Sequence, residues 1–419
     1  MPITSYLSGG AQAMRIAAAV LPMVRGGGGA SGSAARQRLA QVLGQQRGVP
    51  TKVGQWLAGG EHAEDFAVCT EALPPLPWPR IRKALTTAWR VPVETVLARV
   101  EEHGHAASLG QVHRAWLING REVAVKVQYP DIAQGIEATL AVLGLLPQVG
   151  PIRRHGLDLS GHRSMLRTTL QQELDYLHEA TLQRRAAQFA AADVIVPVII
   201  DHLSSSTVLV QSWEDGCTLV EAVTWPAVWR DRVGAALVRR FLRQIIREGL
   251  LHGDPHPGNL RVRRTEDGVA IVQYDHGCMV DIPPSLSEAF TALVVGARTG
   301  RGDPLALLAQ AGFAADKLAQ ISQRLPALLA IVLRPLARAG VTRAADWHPG
   351  AEIAAELGAD RWWFRAAGTP QLFLITRAFG GLIRQLQQLD ANVDWDSCWT
   401  AVCDEQLPLP ETTGNHQAE

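Results

Sequence analysis

The chain has 419 residues, with 40 Lys and Arg balanced by 40 Asp and Glu. It is 47% apolar and 19% charged, a globular composition with room for two or three compact units. A balanced charge predicts no surface field for polyanions and argues against nucleic acid as a partner. The five cysteines are scattered without a CxxC pair, which argues against a disulfide framework or a zinc ribbon and fits a reducing compartment.

In chain order, the Gly-rich stretch RGGGGASGSAAR (25–36) predicts a flexible linker. No Lys-Ser/Thr follows it at phosphate-loop spacing. Residues 36–60 read as a helix running into KVGQWLAGG. From 105 to 128 the pattern turns to a β-hairpin: SLGQVHRAWL, a turn at Asn119-Gly120, and the return strand REVAVKV. Residues 162–190 carry helical spacing at Leu166, Leu170, Leu174 and Leu177. A strand TVLVQ (207–211) follows, then a helix over 231–251 with Val233, Leu237, Phe241 and Ile245 on one face. The loop LLHGDPHPGNL (250–260) leads into a second hairpin, LRVR to VAIVQ, which ends in YDHG. Its glycines and prolines speak against regular helix or strand there. Beyond about 284 the pattern is helical, until a polar tail from about 406. Strand-rich and helical stretches are segregated, which predicts an α+β, two-lobed molecule. The longest apolar runs are too short for a bilayer-spanning helix.

The loop is the densest piece of chemistry. Asp254 and Asn259 stand five apart, and Asp275 follows beyond a hairpin. Phosphoryl transfer needs a carboxylate to orient or deprotonate the acceptor, and hard oxygen ligands for the magnesium that bridges ATP phosphates. The kinase pattern HRDxxxxN followed by DFG supplies these groups at the same internal spacing. Here His252-Gly253-Asp254, Asn259 and Asp275-His276-Gly277 take those places. A metal site through His252 and His256 competes, as does a plain capped turn. On a Pro-broken loop the histidines lack a shared helical face, and no third His or Cys ligand is near in sequence.

A kinase also needs a strand lysine held by a helix carboxylate. VAVK (123–126) answers: alternation puts Ala124 and Lys126 on one face and Val123, Val125 and Val127 on the other. The small Ala124 leaves room for a flat base. The carboxylate is sought in QQELDYLHEA (171–180), where Glu173 and Asp175 would diverge by about 200° on a helix. One lysine does not satisfy both, so this spacing predicts a second basic partner.

Six blocks in order now identify a resemblance: KVGQ (52–55), HAASLGQVHRA (105–115), VAVKVQYP (123–130), ELDYLHEA (173–180), HGDPHPGN (252–259) and DHG (275–277). Together they resemble the UbiB/AarF/ADCK atypical kinases. The resemblance implies a two-lobed protein-kinase-like fold with an N-terminal helical extension. Its parts would be a flexible segment (1–35), an extension bearing KxGQ (36–100), an N-lobe (101–212), a C-lobe (213–405) and a polar tail (406–419).

It further implies ATP and Mg2+ as cofactors. An Ala-rich nucleotide loop would be formed by Ala106, Ala107, Ser108, Leu109 and Gly110. Lys126 would hold the phosphates and pair with Glu173, and Lys52, beside Gly54 and Gln55, would meet Glu173 and Asp175. Asp254 takes the catalytic position, with Asn259 and Asp275 as metal ligands. The implied activity is that of an ATPase or of a small-molecule or lipid kinase near ubiquinone or isoprenoid metabolism. Several bacterial members of that family end in spanning helices, whereas the apolar runs here predict no transmembrane segment and a cytoplasmic protein with peripheral membrane contact at most. His105 stands where a further Ala is usual and Ser212 where Glu is common. Two rival readings remain: a phosphotransferase of the aminoglycoside or choline kinase type, and a non-catalytic ATP-gated lipid-binding scaffold.

Overall fold

In this computed structural model the described residues are 34, 37–42, 74–107, 109–130, 132, 155, 159–254 and 256–405. KVGQ, Ser108, the remainder of the 36–60 stretch and the tail from 406 lie outside them.

The first unit is a five-stranded antiparallel sheet in the order β1 (Leu97–Val100), β3 (Gly110–Leu117), β4 (Glu122–Gln128), β6 (Val208–Ser212), with β2 (His105–Ala106) pairing with β3. The Asn119-Gly120 turn joins β3 to β4: Gly120 takes φ 82°, and the Asn119 side chain accepts from Arg121 N at 3.0 Å. The alternation in β4 has the expected consequence. Val123, Val125 and Val127 pack with Ile81 and Leu85 of α1 (Trp78–Trp89), while Lys126 turns to the opposite side.

Across that opposite side the helix expected over 162–190 is two helices, α2 (Leu159–Glu173) and α3 (Tyr176–Gln188). Asp175 leaves helical geometry at φ −108°, ψ 98° and caps α3, accepting from Leu177 N. The break resets the helical phase. Leu177 is exposed, and α3 buries Tyr176, Glu179, Ala180 and Gln183 instead. Glu173 and Asp175 therefore do not share a helix.

The second unit is built on α4 (Ala227–Arg243), whose expected face of Val233, Leu237, Phe241 and Ile245 is buried in the large core. The helix runs on as a π-turn (Gln244–Glu248) and stops at Gly249, which has φ 61°. The next three residues are not loop. β7 (Leu250–His252) pairs antiparallel with β10 (Met279–Asp281), because Gly253, Pro255 and Pro257 lie just past the paired residues. β8 (Leu260–Thr265) and β9 (Gly268–Gln273) form the expected second hairpin, and β5 (Val194–Ile195) pairs parallel with β9.

After α5 (Pro284–Thr299) the chain is mostly helical, through α6 (Pro370–Gln388) and α7 (Trp395–Asp404). One short pair, β11 (Val341–Arg343) with β12 (Asn392–Asp394), interrupts the expected run of helices. No described helix is long and apolar enough to cross a membrane.

Candidate active site

Lys126 is the centre of the site. Its Nζ donates to both carboxylate oxygens of Glu179 (2.8 and 2.9 Å) and to Oδ1 of Asp275 (3.1 Å). The expected partner Glu173 is displaced from this role. α2 ends at Glu173, whereas Glu179 sits one turn into α3 on the face toward β4, so only Glu179 meets the ammonium. Glu173 is nonetheless close. A β-carbon added at Gly277 would stand 3.4 Å from Asp275 Oδ1, 3.5 Å from Glu173 Cγ and 3.6 Å from Glu179 Oε2. Two acids from the α2–α3 junction and one from the turn at 275–277 thus lie close together.

Burial opposes the Lys126 charge, but Asp275 and Glu179 outweigh it, and its pKa is raised: the lysine stays an ammonium. For Glu179 burial dominates over Lys126, and its pKa is pushed up to about 7. The Tyr176 ring lies 5.0 Å from Lys126 Nζ, and its buried hydroxyl has no hydrogen-bond partner among the described residues.

The Ala-rich loop abuts this cluster. Ala107 N donates to Gly110 O at 2.8 Å, Tyr129 N donates to Leu109 O at 3.1 Å, and Ala106 pairs with Gln111. Gly110 must be glycine: a β-carbon there would lie 2.3 Å from Val127 O and 2.7 Å from Tyr176 Oη.

Asp275 adopts φ 54°, ψ 78°, a left-handed conformation that is uncommon outside glycine, and its Oδ1 accepts from Gly277 N at 3.4 Å. Behind it, His252 fastens together the segments that carry Asp254 and Asp275. Its Nε2 donates to Tyr274 O (3.2 Å) and its Nδ1 accepts from Asp254 N (3.4 Å). Burial holds this imidazole neutral, its pKa lowered to about 4, and also pushes that of His276 well below its ordinary value. With both nitrogens committed to backbone, His252 cannot form the metal pair with His256, whose Nδ1 accepts from Gly258 N at 3.0 Å.

Asp254 is 5% exposed and is gripped by Arg377 of α6. Nη2 reaches its Oδ1 at 2.9 Å, and Nη1 reaches Gly253 O at 3.1 Å. Neither Glu179 nor Arg377 is among the partners expected from the sequence. Glu179 had a signal, the HEA closing the fourth block; Arg377 had none, standing 123 residues from Asp254.

As for a metal, no group of three or more His, Cys, Asp or Glu side chains is placed to hold one among the described residues. Magnesium on nucleotides needs fewer protein ligands, taking one or two carboxylates plus phosphate and water oxygens. The donor set of Asp275 and Asn259, a carboxylate and a carboxamide oxygen, fits that need.

A hairpin-built sheet whose lysine is ion-paired to a helix carboxylate, over a helical unit bearing an Asp–Asn loop and a second Asp, defines an α+β protein-kinase-like fold. The ABC1 atypical kinase-like domain matches residues 68–301, more than half the chain, and the protein belongs to that family. It is 27% identical over 277 residues to an ABC1 family protein of Schizosaccharomyces pombe, covering 62% of this chain and 52% of that one. With the atypical kinase coq-8, mitochondrial, of Caenorhabditis elegans it shares 38% identity over 155 residues, 36% of this chain and 20% of the relative. The chain thus spans between a fifth and about half of the length of these curated relatives. Among solved structures, the Rv3197–erythromycin complex from Mycobacterium tuberculosis is similar at TM-score 0.57 and 26% identity, covering 87% of this chain and 94% of that one.

Proposed function

We propose that the protein binds Mg-ATP against Lys126 and acts as an atypical kinase or ATPase on a small-molecule or lipid acceptor, in or beside ubiquinone and isoprenoid metabolism. The observation that carries the nucleotide half is the buried contact of Lys126 with Glu179 and Asp275, the ion pair and metal carboxylate that phosphoryl transfer requires. The quinone half rests on the family resemblance.

On this reading Glu179 holds the ammonium against the phosphates, and the Ala106–Gly110 loop and Ala124 receive the nucleotide. Asn259 and Asp275 would hold magnesium, which when bound supplies charge neutralisation of the phosphate oxygens. Asp254, fixed by Arg377, orients the attacking hydroxyl or water. Lys52, Gly54 and Gln55 lie outside the described residues, and their role toward Glu173 and Asp175 rests on the family resemblance alone. The division at 101 and 213 into an N-lobe and a C-lobe belongs to the same proposal.

Thermal stabilisation by Mg-ATP tests the site. Lys126→Ala should weaken nucleotide binding by about tenfold or more, and Asp275→Asn should remove the magnesium dependence. Unaltered midpoint shifts in both variants would refute the assignment. ATPase assays with and without quinone-like phenols and anionic vesicles address the acceptor. Turnover on aminoglycosides or choline instead would favour the phosphotransferase alternative. Nucleotide binding without any turnover would favour a non-catalytic scaffold.

A further inference from the structure

Strand β6 buries one polar side chain in an apolar row. Val208, Leu209 and Val210 precede it, and Gln211, a carboxamide, is only 7% exposed. Gln211 stands directly opposite Ala124 of β4, as Leu209 stands opposite Lys126. Opposed residues of an antiparallel pair share a face, with β-carbons about 5 Å apart. Gln211 therefore lies on the Lys126 side of the sheet, beside Ala124, where the base of a nucleotide held on Lys126 would sit.

The partners of that carboxamide fix which way it faces. Gln183 of α3 is 1% exposed, and its Nε2 stands 2.7 Å from Pro197 O and 2.7 Å from Gln211 Oε1. A backbone carbonyl only accepts, so the end of Gln183 that meets Pro197 is its amide nitrogen. The second hydrogen of that nitrogen needs an acceptor, which makes the Gln211 atom facing α3 its oxygen. Gln211 Nε2 is thereby turned away from α3, and its hydrogens have no partner among the described residues. Oε1 keeps a second lone pair. A buried carboxamide satisfied at one end only costs free energy unless a ligand meets the other.

We propose that Gln211 reads the base: Nε2 donates to N7 of an adenine seated against Ala124, and the second lone pair of Oε1 accepts from its 6-amino group. A carboxamide matches that edge of adenine with both ends at once, whereas a 6-oxopurine sets oxygen against oxygen. Gln183 is the positioning residue that holds the donor outward. The proposal rests on the nucleotide reading above and narrows it to adenine. A purely structural role for Gln211, tying α3 to β6, predicts no dependence on the base.

Calorimetric titration of the full chain with magnesium and ADP, 7-deaza-ADP or IDP tests it. Wild type should bind ADP about three- to tenfold more tightly than 7-deaza-ADP, which lacks the N7 acceptor, and more tightly than IDP. This comparison needs no variant to fold. In Gln211→Leu the affinities for ADP and 7-deaza-ADP should become equal, and Gln183→Leu, which frees the carboxamide to turn, should reduce the difference in part. Lys126→Ala should weaken all three diphosphates and keep their order. Equal wild-type affinity for ADP and 7-deaza-ADP, or an undiminished difference in Gln211→Leu, would overturn the base reading and leave the nucleotide site standing. Absence of ADP binding, or its indifference to Lys126→Ala, would overturn the nucleotide site and the base reading with it.

Discussion

Arg377 changes what Asp254 can be. A buried carboxylate deprived of its guanidinium is left uncompensated, at a cost of about 3–5 kcal/mol. Arg377→Met should therefore lower stability to denaturant by about that amount, and adding Asp254→Asn should recover part of the loss. Additive losses in the double variant would show that the two side chains are not coupled. Arg377→Lys keeps the charge but not the two-pronged grip on Oδ1 and Gly253 O, so turnover should fall more than nucleotide affinity. At this scale Lys126, Asp254, Asn259 and Asp275 were legible because their spacing along the chain is itself the motif. Glu179 was mistaken for Glu173 because both lie in one acidic block, and only the break at Asp175 decides which of them faces β4.

Elements were legible wherever a local signal governs them. The Asn-Gly turn set the first hairpin, and period-two alternation set which face of β4 carries Lys126. Prolines and glycines misled at β7. They speak against regular structure, but here they begin immediately after the residues that pair with β10. Gly110 makes an element-scale prediction. Its missing side chain lets β3 cross close to Val127 O and Tyr176 Oη, so Gly110→Ala should destabilise the first unit by about 1–3 kcal/mol. Nucleotide binding should weaken with it. A variant of unchanged melting temperature and unchanged affinity would mean that the loop repacks at no cost.

Over the whole molecule, buried ionisable groups set a pH dependence. Burial raises Glu179 to about 7 and Glu248 to about 8, so the folded chain holds protons that the unfolded chain releases. Their contribution is lost as pH rises from the ordinary carboxyl range through these values. His252 and His276 have lowered pKa values and act oppositely, with stability lost as pH falls below 6.5. The raised Lys126 adds a loss only above its ordinary value of 10.5. Denaturation midpoints should therefore fall between pH 6.5 and about 8.5, and Glu248→Gln should flatten that fall. An identical slope in the variant would contradict the burial of Glu248.

By itself the sequence determined the hairpins, the helical second half, the kinase-type spacing and the family, because turn chemistry, periodicity and motif order act within a few residues or in fixed succession. Only the tertiary structure decided that Glu179 holds Lys126 and that Arg377 neutralises Asp254. Those pairings join segments 53 and 123 residues apart, and no local pattern encodes which charge another charge will meet after packing.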